Sequence, residues 1–160
     1  SACNYFRKIV AGNTTEPDSL MYNYFNLTRD FVSIQNVAGY ETLKSKGLEL
    51  IKNDSLRLKI ISLYEYDFNT LRKLEEEYYE LQFQENYFKE INQELAPNFV
   101  FDDNGNISGF DLPIKISENK KKELLLYLWK IQTNRVFILQ LYSGIENKIN
   151  EVRKNINNQD

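Results

Sequence analysis

From Ser117 to Asn155 the chain reads SENKKKELLLYLWKIQTNRVFILQLYSGIENKINEVRKN, and the spacing of its apolar residues decides the fold. Leu124, Leu128, Ile131, Ile138, Tyr142, Ile145, Ile149, Val152 and, just beyond, Ile156 recur at steps of three, four or seven. That period keeps them on one side of a helix, as a seam that needs a partner. Ser117 is placed to cap the helix and Glu118 falls in its first turn, where a negative charge is favourable. At 1.5 Å per residue the helix would extend roughly 60 Å, with Gly144 its single interior breaker.

A second stripe precedes it. Ile60, Tyr64, Leu71, Leu74, Tyr78, Leu81, Phe88 and Leu95 share the same period, with Asn53 or Asp54 as cap and Pro97 as stop. Between the stripes, Phe99-Val100-Phe101 and Ile107 flank Asp102-Asp103-Asn104-Gly105-Asn106, a hairpin signal. Two stripes of similar length joined by a short insert predict an antiparallel return. Leu71, Leu74 and Leu81 would then share one core with Ile131, Ile138 and Ile145 of the same chain. The expected fold is mostly α: an antiparallel helical bundle with two long helices and a small β-hairpin insert, in a single domain over residues 1–160.

Shorter elements come first in the chain. Cys3 to Ala11 reads as a helix stopped at Gly12-Asn13. Thr15-Glu16-Pro17-Asp18 is a helix start, and Leu20, Tyr24, Leu27, Phe31 and Ile34 give the helix an apolar face running out near Val37-Ala38-Gly39. Tyr40 to Lys46 forms another short helix. Gly47 stands where a helix C-terminus calls for positive φ, and Leu48, Leu50 and Ile51 make a small plug after it.

Composition limits the chemistry. The 160 residues suffice for a core, and a net charge of −3 argues against a nucleic-acid partner, which is normally met by a basic face. The chain has no histidine, which removes the commonest general base, transition-metal ligand and pH switch. Cys3 is the single cysteine, so neither an internal disulfide nor a thiolate cluster can form. No run is apolar and long enough to span a bilayer. Ser1-Ala2-Cys3 has the form of the end of a lipoprotein cleavage box, but without an apolar run before it the preferred reading is a piece of a larger protein whose first helix continues upstream. The sequons at Asn13, Asn26, Asn53 and Asn106 are read as idle in a chain of bacterial composition.

Four groups of residues invite a chemical reading, and each has a plainer one. With Gly105 at position 6 of a calcium loop, Asp102, Asn104, Ile107 and Asp111 take positions 3, 5, 8 and 12, but Val100 stands where the first oxygen ligand is required. A turn is the preferred reading. Glu75-Glu76-Glu77 and Glu80 lack the histidines of a di-metal bundle and fall off the seam, as a solvated face. Lys120-Lys121-Lys122 lies at a helix start, where cations are mildly unfavourable, and also reads as a solvated face. Arg135 is the one polar residue in the last seam. It could anchor a carboxylate, from Asp67 or Glu85 or from a ligand, with an internal salt bridge or a snorkelling side chain preferred. Neither a nucleophile elbow nor a phosphate-cradling glycine loop occurs.

The block Tyr40-Glu41-Thr42-Leu43-Lys44-Ser45-Lys46-Gly47-Leu48-Glu49-Leu50-Ile51-Lys52-Asn53-Asp54-Ser55-Leu56-Arg57 is similar to a signature of an uncharacterised membrane-anchored family of Bacteroidetes-type bacteria, a domain of unknown function. Tyr142 to Asn155 resembles that family's final helix. The resemblance implies one N-terminal transmembrane helix, absent here, followed by a helical soluble portion, and it carries over no catalytic residues. The expected setting of that portion is periplasmic, with the cytoplasm as the alternative. The expected function is therefore non-enzymatic: an extracytoplasmic helical module that senses or binds a protein partner or a small ligand, tethered by an upstream anchor. The alternative is a coiled-coil-like structural protein that forms a homodimer through leftover seam, and an enzyme ranks third. No catalytic, cofactor-binding or metal residue is assigned, and no cofactor is expected.

Overall fold

The computed structural model describes residues 1–13, 19–29, 34–78, 87–113 and 115–158. The expected helix start at Thr15–Asp18, and Phe31, Glu80, Leu81 and Glu85, lie outside the described residues. The chain is mostly helical, with one small antiparallel sheet. Its contacts gather into two compact units: Ser1–Phe31 with Tyr79–Arg135, and Val32–Tyr78 with Val136–Asp160.

The first unit contains α1 (Ala2–Val10), α2 (Leu20–Thr28), α6 (Lys89–Leu95), β1 (Phe99–Phe101), β2 (Ile107–Phe110) and the leading part of α7 (Glu118–Asn157). Helix α1 buries Ala2, Cys3, Phe6, Ile9 and Val10, the i, i+3, i+4 face that its sequence presents. It stops where Gly12 turns to a φ of +84°, with the Gly12 amide donating to the Ile9 carbonyl. Leu20, Leu27, Ile91, Leu95, Leu124, Leu128 and Ile131 complete this core. The Tyr24 ring packs edge-on to Phe6 and Phe99, and its hydroxyl donates to Asn92 Oδ1 at 2.9 Å, so a half-buried polar tip is satisfied.

The hairpin forms as its turn residues predict. Phe99 pairs with Phe110, Val100 with Gly109 and Phe101 with Ile107, with a register shift after Val100. The Asp102 carboxylate accepts from the amides of Asn104 and Asn106, and Gly105 takes a φ of +79°. Asn98, almost wholly buried, ties the hairpin to its surroundings. Its Oδ1 accepts from the Lys115 amide at 3.1 Å, its side-chain amide donates to the Glu94 carbonyl, and its own carbonyl accepts from Asp111.

The second unit contains α3 (Ala38–Lys46), a 3-10 turn at Leu48–Leu50, α4 (Asp54–Ile61), a π-helical stretch at Ser62–Asp67, α5 (Phe68–Glu77) and the rest of α7. Gly47 ends α3 with φ +101°, as expected. Asn53 caps α4 by accepting from the Leu56 amide at 3.0 Å. Tyr40, Leu56, Ile60, Leu63 and Val152 form its core, with Ile145 and Ile149 packed against them. Lys59 contacts Glu151, Asp67 contacts Lys148, and Tyr142 contacts Glu75. Residue numbers rise on one helix and fall on the other, so the segment 54–77 and the end of α7 run antiparallel.

Three expectations need correction. Helix α2 ends at Thr28, with Arg29 extended, and Ile34 stands almost fully exposed rather than on a buried face. The helix that opens at Asp54 does not run unbroken to Leu95: Tyr78 leaves the helical region at φ −80°, ψ 104°, and Lys89–Leu95 is a separate helix of the first unit. The seam of α7 does not face a single core. Ile131 is fully buried with Phe6, Leu27 and Ile91, whereas Ile145 packs in the core of Tyr40 and Ile60. The physical reason is length: a helix of 40 residues outruns any one small core. The boundary between the units falls after Arg135, the polar break in the stripe.

Candidate binding groove of the second unit

The i→i+5 bonding of Ser62–Asp67 holds more residues per turn than an α-helix. Steps of four across it therefore keep Leu63, Asp67 and Leu71 on one side, and all three are buried. This places a carboxylate in an apolar row. The Asp67 side chain is 9 % exposed, and its Oδ1 accepts from Lys148 Nζ at 2.6 Å, while the Lys148 side chain is 54 % exposed. Oδ2 is buried without a hydrogen-bond partner among the described residues.

Asp67 and Lys148 border a cavity of about 200 Å³, walled by Leu71, Leu74, Leu141, Gly144 and Ile145 with Thr70 and Gln140. A Cβ added to Gly144 would meet nothing within 4 Å. Leu71 and Ile145 also line a larger neighbouring groove of about 510 Å³. Tyr64, Phe68, Tyr142, Ile149 and Val152 give that groove its apolar surface, and Gln35, Asn36, Glu146 and Arg153 its polar groups.

Aromatic stacking stiffens one wall. The Tyr40 and Tyr64 rings are stacked at 4.5 Å, and Tyr64 meets Phe68 edge-on at 5.1 Å. The Tyr40 hydroxyl donates to Glu65 Oε1 at 2.8 Å, and Lys44 Nζ donates to the same oxygen at 2.5 Å. Burial, and then the hydrogen bond to Glu65, pushes Tyr40 up to about 12. The bonds from Lys44 and Tyr40 hold Glu65 below the usual carboxylate range.

The residues singled out in the sequence take the following places. Arg135 Nη2 donates to the carbonyls of Leu27 at 2.9 Å and Arg29 at 3.0 Å, capping the C-terminus of α2. Of the acidic run, Glu75 accepts from the Tyr142 hydroxyl, while Glu76 and Glu77 are exposed. Lys120 pairs with Glu123 and Glu94, and Lys121 with Glu118. Amide donors of the turn, Asn106 first, hold Asp102 below its usual range and reach both of its carboxylate oxygens. Among the described residues no group of three or more His, Cys, Asp or Glu could hold a metal ion, and no helix is long and apolar enough to cross a membrane.

The sequence placed Asp67 on a seam but not Lys148 beside it, because Lys148 belongs to another helix and only the antiparallel register joins them. No family model, curated protein or solved structure matches the chain. The resemblance carried by Tyr40–Arg57 and Tyr142–Asn155 therefore rests on the sequence alone.

Proposed function

We propose that the chain is a non-enzymatic binding module whose second unit takes up a ligand with an apolar body. The supporting observation is the groove of about 510 Å³ lined by Tyr64, Phe68, Leu71, Tyr142, Ile145 and Ile149. Its size falls within the range of small-molecule sites, which combine apolar walls with a few polar groups. The family resemblance adds a setting, a membrane-tethered and extracytoplasmic protein in which such a module would sense or bind. The antiparallel bundle expected from the stripes is proposed only for the pairing of α4–α5 with the end of α7.

Titration of the intact chain with the neutral dye Nile red tests this reading. Saturable fluorescence enhancement with one site is expected, and Ile145→Trp, which fills the groove, should reduce it at least tenfold. Absence of saturable binding, or equal binding by the filled variant, would refute it. A second reading, a homodimer, draws on the exposure of Val136, Phe137 and Leu139 along α7. It requires a dimeric mass in sedimentation and a melting temperature that rises with protein concentration.

A further inference from the structure

Asp67 is a charged group taken out of water, paired with Lys148 through one oxygen and left with the other oxygen unsatisfied among the described residues. We propose that this site binds amphiphilic primary amines, the ammonium seated on the Asp67 carboxylate and the apolar tail lying past Leu71 and Ile145 into the larger groove. The assignment rests on the binding reading above and names its ligand class.

Three observations carry it. A buried carboxylate is tolerated when its charge is paired and its remaining lone pairs are satisfied. Here Lys148 reaches Oδ1, and Oδ2 has no partner among the described residues. The ammonium of Lys148 is tethered to α7, whereas a free primary ammonium carries the same three N–H donors without that tether and can approach the carboxylate from the cavity. Lys148 is half exposed, so its flexible stem can swing its head into water when displaced. The charge balance at Asp67 is then unchanged. The second observation is the route: Leu71 and Ile145 line both the cavity at Asp67 and the larger groove, so one molecule can use the two together. The third is Gly144. Glycine within a helix is unfavourable relative to alanine, yet a Cβ there would strike nothing within 4 Å. Gly144 lines the same cavity as Asp67, and the space above its Cα is open.

The test compares three probes of equal tail, n-octylamine, n-octanol and octanoate, by calorimetric titration of the intact chain. Octylamine should bind saturably at one site, at least tenfold tighter than octanol, with octanoate weakest. Asp67→Asn should lose the tenfold preference while leaving octanol binding unchanged, an effect that a purely structural Asp67 would not produce. Lys148→Met removes the competing ammonium and should tighten octylamine binding about tenfold, and it carries the test if Asp67→Asn fails to fold. Equal affinity for the three probes would overturn the amine assignment and leave the groove reading intact. Weaker octylamine binding in Lys148→Met would also overturn it. If no probe binds, both readings fall.

Discussion

Gly47→Val is the sharpest probe of the second unit. Gly47 has φ +101° and ψ 118°, a combination that side chains with a Cβ rarely adopt and β-branched ones resist most. A Cβ at this position would lie 2.1 Å from Glu49 Oε1. That overlap is the smaller part of the problem, because the exposed Glu49 carboxylate is the end of a flexible side chain and can rotate away. The backbone has no such escape: α3 ends here, and the Leu48–Leu50 turn then leads to the Ile51 packed on the core. Holding a non-glycine residue in such a region costs about 1–3 kcal/mol. With a urea m-value of about 2 kcal/mol/M, the unfolding midpoint should drop by roughly 0.5–1.5 M. Urea unfolding followed by circular dichroism reads this directly. Adding Glu49→Ala to Gly47→Val separates the two terms and should recover only a small part of the loss. An unchanged midpoint in Gly47→Val would refute the backbone argument. Full recovery in the double variant would show that the clash, not φ, sets the cost.

Three further outcomes are expected. Asn98→Ala leaves the Lys115 amide and the Glu94 carbonyl without their side-chain partner, and should cost about 0.5–1.5 kcal/mol per bond with faster hydrogen exchange at Lys115. Arg135→Met removes the two bonds that cap α2 and should destabilise the first unit by about 1–2 kcal/mol, seen as faster exchange of the last α2 amides; Arg135→Lys, without the planar fork, should recover only part. Tyr40 is raised from 10 to about 12, so its contribution is fully present below pH 10 and lost as pH climbs to 12. Stability should therefore fall by up to about 1.4 kcal/mol per pH unit from this group, and Tyr40→Phe should show a shallower alkaline decline in thermal melts.

Much of the local structure could be read from neighbouring residues. Ser117 and Asn53 cap their helices, Gly47 and Gly12 end theirs at positive φ, and Asp102 with Gly105 closes the hairpin. Each depends on φ, ψ and hydrogen bonds spanning a few residues, which side-chain chemistry sets wherever the chain goes. The destinations of the apolar stripes are another matter. A heptad seam states that one face avoids water but not what covers it, since burial is non-directional. Only tertiary packing assigned Ile131 and Ile145 to different cores, ended a helix at Tyr78, and brought Arg135 to the C-terminus of α2. The same holds for the groove. Asp67 and Lys148 are separated by 81 positions and meet through the antiparallel register of two helices, a relation carried by no local pattern in the chain.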